Sequence, residues 1–282
     1  MPLQYIRPVA LHRSRDYAQV TLQIVDAFCA PPDLQGNPAA VCLLDRWPES
    51  RTMQELAAKV NLPETAFAVG AGGRYGLRWF TPTTEVTLCG HATLAAGRLL
   101  LDQNAIESAT FDTKSGLLEV HRHHRYTDML EMDFPARTPS PHPAAAEVVA
   151  TVGAPVSEWY ATEQHYIALL EDERAVASLS PDIAGIATLD RPYMIVTARG
   201  NESDFVSRFF APAHGIAEDA VTGSAHCVLT PLWARRLGKQ RLRALQLSER
   251  GGEVLCGLQD QRVTLGGRCR VGRRLEFELR DG

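Results

Sequence analysis

The sequence predicts an α+β protein of two similar domains, each a mostly antiparallel, barrel-like sheet wrapped around a central helix. Two stretches of one form carry that prediction. Thr87-Leu88-Cys89-Gly90-His91-Ala92-Thr93 runs into Leu94, Ala95, Ala96, Leu99 and Leu100. Gly215 to Cys227, with Thr222-Gly223-Ser224 at its heart, runs into Val228, Leu229, Leu232, Trp233 and Leu237. Each is a polar turn and a glycine leading into an apolar helix, and one such start in each half points to a duplicated architecture. The third observation is the surrounding pattern of short alternating apolar runs bounded by turn residues, which reads as strands.

In chain order, residues 1–19 show no clear period and read as an N-terminal extension. The first domain is expected over 20–135. Val20, Leu22 and Ile24 alternate as a strand does, until Pro31-Pro32-Asp33 breaks it. Gly36-Asn37-Pro38 is a turn, in which Asn37 is either a plain turn former or an amide turned toward a ligand. Met53, Leu56, Ala57 and Val60 fall at helical spacing, so 49–60 should be an amphipathic helix that stops at Asn61 and Pro63. Glu64 then stands at the mouth of a short strand over 65–69, where on residue type alone it reads as a solvated charge. Tyr75, Leu77 and Trp79 alternate in the next strand, and Thr81-Pro82 ends it.

The helix over 91–101 is small and apolar at Ala92, Ala95 and Ala96, which suits a helix threaded through a closed sheet. Strands follow at 109–112, 117–121 and 129–134. Between the last two, His121, Arg122, His123, His124 and Arg125 read as a solvated hairpin tip rather than a metal site. The Pro- and Ser-rich segment 135–143 reads as a linker, and the second domain is expected over 136–282. It should hold a helix near 144–152, strands at 166–170, 193–198 and 205–211, and then the second helix start, with Ser224 as its cap. A turn at 246–253 leads to strands at 254–258, 261–265 and 275–279, and Arg250 reads as a surface ion-pair residue or a cleft cation.

Composition narrows the class of function. A chain of 282 residues that is 45% hydrophobic and 22% charged is that of a globular protein with room for two cores. With a net charge of −4 and no basic stripe, nucleic acid and anionic membranes are poor partners, so a small molecule is the expected ligand. No apolar run reaches membrane-spanning length and no signal segment is visible, so the expected location is cytoplasmic. The six cysteines are widely spaced without a Cys-x-x-Cys pair and read as reduced, mostly buried thiols. The two helix starts are the natural anion sites, because the first N–H groups of a helix lack intrahelical acceptors and its dipole favours negative charge. A carboxylated substrate can dock there.

At this point the sequence resembles the PhzF-like (phenazine biosynthesis) family of the diaminopimelate epimerase-like fold. The resemblance rests on Gly36-Asn37-Pro38-Ala39-Ala40-Val41, Asn61-Leu62-Pro63-Glu64-Thr65-Ala66-Phe67, Arg78-Trp79-Phe80-Thr81-Pro82, Cys89-Gly90-His91-Ala92-Thr93 and Glu218-Asp219 through Ala225, in the expected order from about Val20 to the C-terminus. It implies an active site in the inter-domain cleft, a homodimer, no cofactor and no metal. It also implies a cofactor-free isomerase in which Glu64 shuttles a proton on a small carboxylated, cyclic substrate. His91, Asp219 and Ser224 match its other catalytic positions, and Asn37, Gly90, Ala92, Thr222, Gly223 and Ala225 are the implied substrate-binding residues. Two residues depart from the family pattern: Thr87 stands where Asp is common, and Ala220 where Pro is.

Two other readings compete. Epimerases of this fold invert carbon with two thiolates, one on each face of the substrate. Here Cys89 matches the first thiol, but the second position, before Gly223, is Thr222. An amino-acid epimerase or racemase using Cys89 is therefore the alternative rather than the first expectation. A non-catalytic small-molecule binding protein is the other. For assembly, Trp159, Tyr160, Phe209 and Phe210 are read as too many aromatics for small cores and hence as a self-association surface.

Overall fold

A computed structural model of the chain describes residues 17–280. The chain separates into two compact units. One is built from the described residues up to Ala27, from Pro38–Met132 and from Arg268 onward. The other comprises Phe28–Asn37 and Asp133–Gly267.

Both units repeat one pairing scheme, strand for strand. In the first, Asn37–Leu44 runs parallel to Glu64–Ala71, which is antiparallel to Arg74–Phe80. Arg74–Phe80 pairs antiparallel with Glu85–Val86 and parallel with Ser108–Thr113, after which Gly116–Arg122 and Met129–Pro135 follow antiparallel. In the second, His165–Leu169 runs parallel to Tyr193–Arg199, which is antiparallel to Phe205–Ala211. Phe205–Ala211 pairs antiparallel with Ile216–Asp219 and parallel with Arg241–Gln246, followed antiparallel by Gly252–Gln259 and Arg262–Arg280. A long helix lies at the same place in each scheme: Gly90–Asn104 after Glu85–Val86, and Gly223–Leu237 after Ile216–Asp219. The α+β class and its duplication are as the sequence predicts.

Each long helix is buried on nearly all sides, so its residues are small wherever the sheet comes close. In Gly90–Asn104, residues 91–97 and 99–101 are buried. A Cβ on Gly97 would stand 2.5 Å from Cγ1 of Val120, so only glycine fits against that strand. Helix Gly223–Leu237 is buried from Ala225 to Ala234 and contains Pro231. Proline supplies no N–H to the carbonyl four residues earlier, and the backbone N–H of Arg137 takes up that Cys227 carbonyl at 3.0 Å.

A second layer covers each sheet. Met53, Leu56 and Ala57 of helix Ser50–Val60 pack with Val20, Leu22, Phe67 and Phe80, as their spacing predicts. The helix ends where expected, with Asn61 left-handed at φ 52° and its N–H on the Ala57 carbonyl. In the second unit, Val148, Val152, Val176 and Ile186 from three short helices pack on Tyr166, Met194, Val196 and Phe210.

Several expectations are corrected. Of the extension expected over 1–19, residues 1–16 lie outside the described residues, and from Tyr17 the chain is already strand Tyr17–Cys29. The strands expected at 261–265 and 275–279 are one continuous strand, Arg262–Arg280. Within it, a Cβ on Gly267 would meet the Phe28 ring at 2.4 Å. Strand Arg241–Gln246 has no counterpart among the expected elements, since Arg241 and Arg243 on its exposed face mask the buried Leu242 and Ala244. Ser224 is not the helix cap: the helix begins at Gly223 and Thr222 is the capping residue. Tyr160, Phe209 and Phe210 are buried within the second unit and Trp159 is half-buried against its core, so these aromatics do not form a free surface. Among the described residues, no helix is long and apolar enough to cross a membrane.

Candidate functional site

Glu64 owes its position to an abrupt change of element. Helix Ser50–Val60 stops at Asn61, Pro63 follows, and Glu64 opens strand Glu64–Ala71 in register with Ala39. The carboxylate is thereby carried inward instead of into water, and only 9% of the residue is exposed. The helix start at Cys89-Gly90-His91 supplies its neighbours. Cys89 is the extended N-cap, and its carbonyl accepts both the N–H of Thr93, at 3.1 Å, and the Thr93 hydroxyl, at 2.6 Å. This fixes the first helical turn, and with it the side chains of Cys89 and His91.

His91 Nε2 stands 3.1 Å from Glu64 Oε2, and its Nδ1 stands 3.6 Å from Cys89 Sγ. The Glu64–His91 contact is an ion pair off the hydrogen-bond axis, so Oε2 makes no aligned hydrogen bond. All three residues are buried. Burial opposes a charge on His91, but the neighbouring Cys89 and Glu64 outweigh it and hold its proton affinity well above the usual imidazole range. Burial, then the Glu64 charge, push the Cys89 thiol up, against the pull of His91. The arrangement can accept a proton on the carboxylate and orient it through the imidazole. Gly90 and Ala92 lie in the same first turn.

The second helix start is built differently. Asp219 ends strand Ile216–Asp219, and its carboxylate accepts from Asn37 Nδ2 at 2.8 Å and from the Thr222 hydroxyl at 2.5 Å. Asn37 Nδ2 also reaches the Val221 carbonyl at 3.0 Å, so the turn amide is buried structure tied to Asp219. Thr222, Gly223 and Ala225 are buried; Ser224 is half-buried, in the first turn of the helix. Gln246, fully buried, receives the Thr222 N–H on Oε1 at 2.9 Å and donates to the Asp219 carbonyl at 2.8 Å. His226 Nδ1 donates to the Thr222 carbonyl at 2.8 Å, and burial pushes its pKa down to about 4, so it is a neutral structural residue.

The structure thus brings together Glu64, His91 and Cys89 in one unit, and Asn37, Asp219 and Thr222 in the other. Gln246 escaped the sequence reading, because a glutamine before a turn carries no signal until strand pairing sets it against Thr222. Arg250 Nε donates to the Gly36 carbonyl at 2.8 Å. Of the two departures, Thr87 is exposed with its carbonyl taken by the Ser115 hydroxyl, and the Ala220 carbonyl accepts from Ser248. Cys227 is buried in the helix and its thiol is pushed up to about 12.

Comparison with known proteins adds to this geometry. A family model described as phenazine biosynthesis-like protein matches residues 25–272. An uncharacterized isomerase of Pseudomonas aeruginosa is 46% identical over 251 residues, covering 88% of this chain and 95% of that protein. Another, from Halalkalibacterium halodurans, is 38% identical over 264 residues, covering 92% and 98%. A crystal structure of a PhzF-family phenazine biosynthesis protein from Enterococcus faecalis superposes with a TM-score of 0.87 at 40% identity, covering 92% of this chain and 99% of that one.

Proposed function

The chain belongs to the phenazine biosynthesis-like (PhzF) family, and on that premise we propose that it is a cofactor-free isomerase that moves a proton on a small carboxylated, cyclic substrate, with Glu64 as the acid/base. The observation that carries this reading is the buried ion pair of Glu64 and His91 at the start of helix Gly90–Asn104. The reaction needs a base that takes a proton from carbon, holds it between the two steps, and returns it to another carbon. Glu64 is shielded enough to keep it, and His91 Nε2 holds the carboxylate in place while its charge changes. The first N–H groups of the helix, around Gly90 to Ala92, offer a berth for the substrate carboxylate. Asp219 and Ser224 take the remaining catalytic roles, with Thr222 and Asn37 fixing the Asp219 carboxylate. Relatives named isomerases support this class of activity.

Inversion by two thiols is disfavoured on a specific observation. The N-cap position occupied by Cys89 in the first helix is occupied in the second by Thr222, whose hydroxyl is spent on Asp219. The test is proton NMR in deuterium oxide over a panel of cyclic amino and hydroxy acids. Wild type should introduce deuterium into one of them without loss of optical purity, and Glu64→Gln should abolish it. Exchange undiminished in Glu64→Gln removes Glu64 from the mechanism, ligand-induced thermal stabilisation with no exchange for any acid favours a binding protein, and racemisation favours the thiol route.

A further inference from the structure

Glu64, Cys89 and His91 each offer one donor atom, and these atoms all lie within 4.8 Å of one another. Carboxylate, thiolate and imidazole are the donor types that Zn2+ takes, and three protein donors with a fourth position open is the pattern of sites that exchange a ligand. We infer that this triad binds a thiophilic divalent cation, Zn2+ or Co2+, and that the cation blocks the proposed reaction rather than assisting it.

The spacing suits such an ion. With bonds of about 2.3 Å to sulfur and about 2.0–2.2 Å to nitrogen and oxygen, tetrahedral donors stand roughly 3.3–3.6 Å apart. Nε2 of His91 is 3.1 Å from Glu64 Oε2 and 4.0 Å from Cys89 Sγ, so small side-chain rotations close the site. The backbone is already set, because Thr93 clamps the Cys89 carbonyl with two hydrogen bonds. Oε2 has a lone pair that no aligned hydrogen bond uses.

Charge and proton balance follow from the donors. The thiol of Cys89 loses its proton to become the ligand, and the Glu64–His91 pair gives up the proton that made it an ion pair. The donors bind in their deprotonated forms, so affinity rises with pH. The cation and the reaction exclude each other, because Glu64 cannot ligate a metal and take a proton from carbon at once.

The other histidine cluster is a weaker candidate and therefore a control. His121 and His123 face Glu131 at 3.8 and 3.5 Å, but this cluster has no sulfur, and His123 Nδ1 already accepts from the N–H groups of Arg125 and Tyr126.

The inference shares its side chains with the proposed function but is read without turnover. Co2+ is titrated into the full-length chain and the near-ultraviolet thiolate-to-cobalt charge-transfer band is followed. One equivalent should saturate the band, and excess Zn2+ should bleach it. Cys89→Ser should abolish it, Glu64→Gln should weaken binding at least ~10-fold, and His123→Ala should change nothing. Zn2+ should also raise the melting temperature of wild type but not of Cys89→Ser, whose own melt reports whether it folds. A cobalt spectrum without the band, or a band undiminished in Cys89→Ser, overturns the inference. Either result leaves the deuterium-exchange test of Glu64 untouched, and a failed exchange test leaves the cobalt result standing.

Discussion

His91 Nε2 lies 3.1 Å from Glu64 Oε2, although one residue sits in the first turn of a buried helix and the other opens a strand 27 positions earlier in sequence (91 minus 64). The pair exists because the strand start and the helix start are both fixed by backbone bonds, so neither side chain can withdraw.

The pair gives stability an alkaline limit. His91 has its proton affinity raised in the folded state, so its contribution is fully present below about pH 6.5, the ordinary imidazole value, and is lost as pH rises through the raised one. His91→Gln should lower the melting temperature at pH 6, and the difference from wild type should shrink as pH rises. It should also slow any exchange reaction by ~100-fold or more. A melting difference that grows with pH would contradict the ion pair.

Thr222→Val should loosen the second helix start. The change keeps shape but removes the hydroxyl that donates to Asp219, leaving a carboxylate oxygen without that partner. A cost of about 1–3 kcal/mol is expected from urea denaturation. Thr222→Ser, which keeps the hydroxyl, should recover most of it.

Gly97→Ala should destabilise by about 1–3 kcal/mol, because the new methyl would stand 2.5 Å from Val120 Cγ1. Val120→Ala alone leaves a void, but combined with Gly97→Ala the two should cost less than the sum of the single changes. Simple additivity in a double-mutant cycle would show that the helix shifts to avoid the clash.

Glu85 should give an acid-dependent effect. The Arg78 hydrogen bond, helped by Lys114 and opposed by burial, holds its pKa down to about 2 from 4.5, so its stabilisation is present above pH 4.5 and lost as pH falls toward 2. Glu85→Gln should cost about 1 kcal/mol at pH 7 and almost nothing near pH 2. A constant difference across that range would show that the carboxylate charge is not what matters.

The sequence by itself determined the duplication, the two buried helices and the motifs that set Glu64 and His91 apart, because these are local. Helix periodicity, a glycine at the start of a helix and a proline after a helix act within a few residues, and Met53, Leu56, Ala57 and Asn61 behave as their spacing says. What only the tertiary structure decided are properties that arise between distant segments. Ser224 seemed the cap by residue type, yet Thr222 takes that place, and its hydroxyl serves Asp219 and its N–H Gln246. Glu64 looked like a solvated charge on residue type, since nothing near it in sequence shields it. Its burial, and its proximity to His91 and Cys89, come from a strand and a helix start being packed in one unit, and no periodicity encodes that contact.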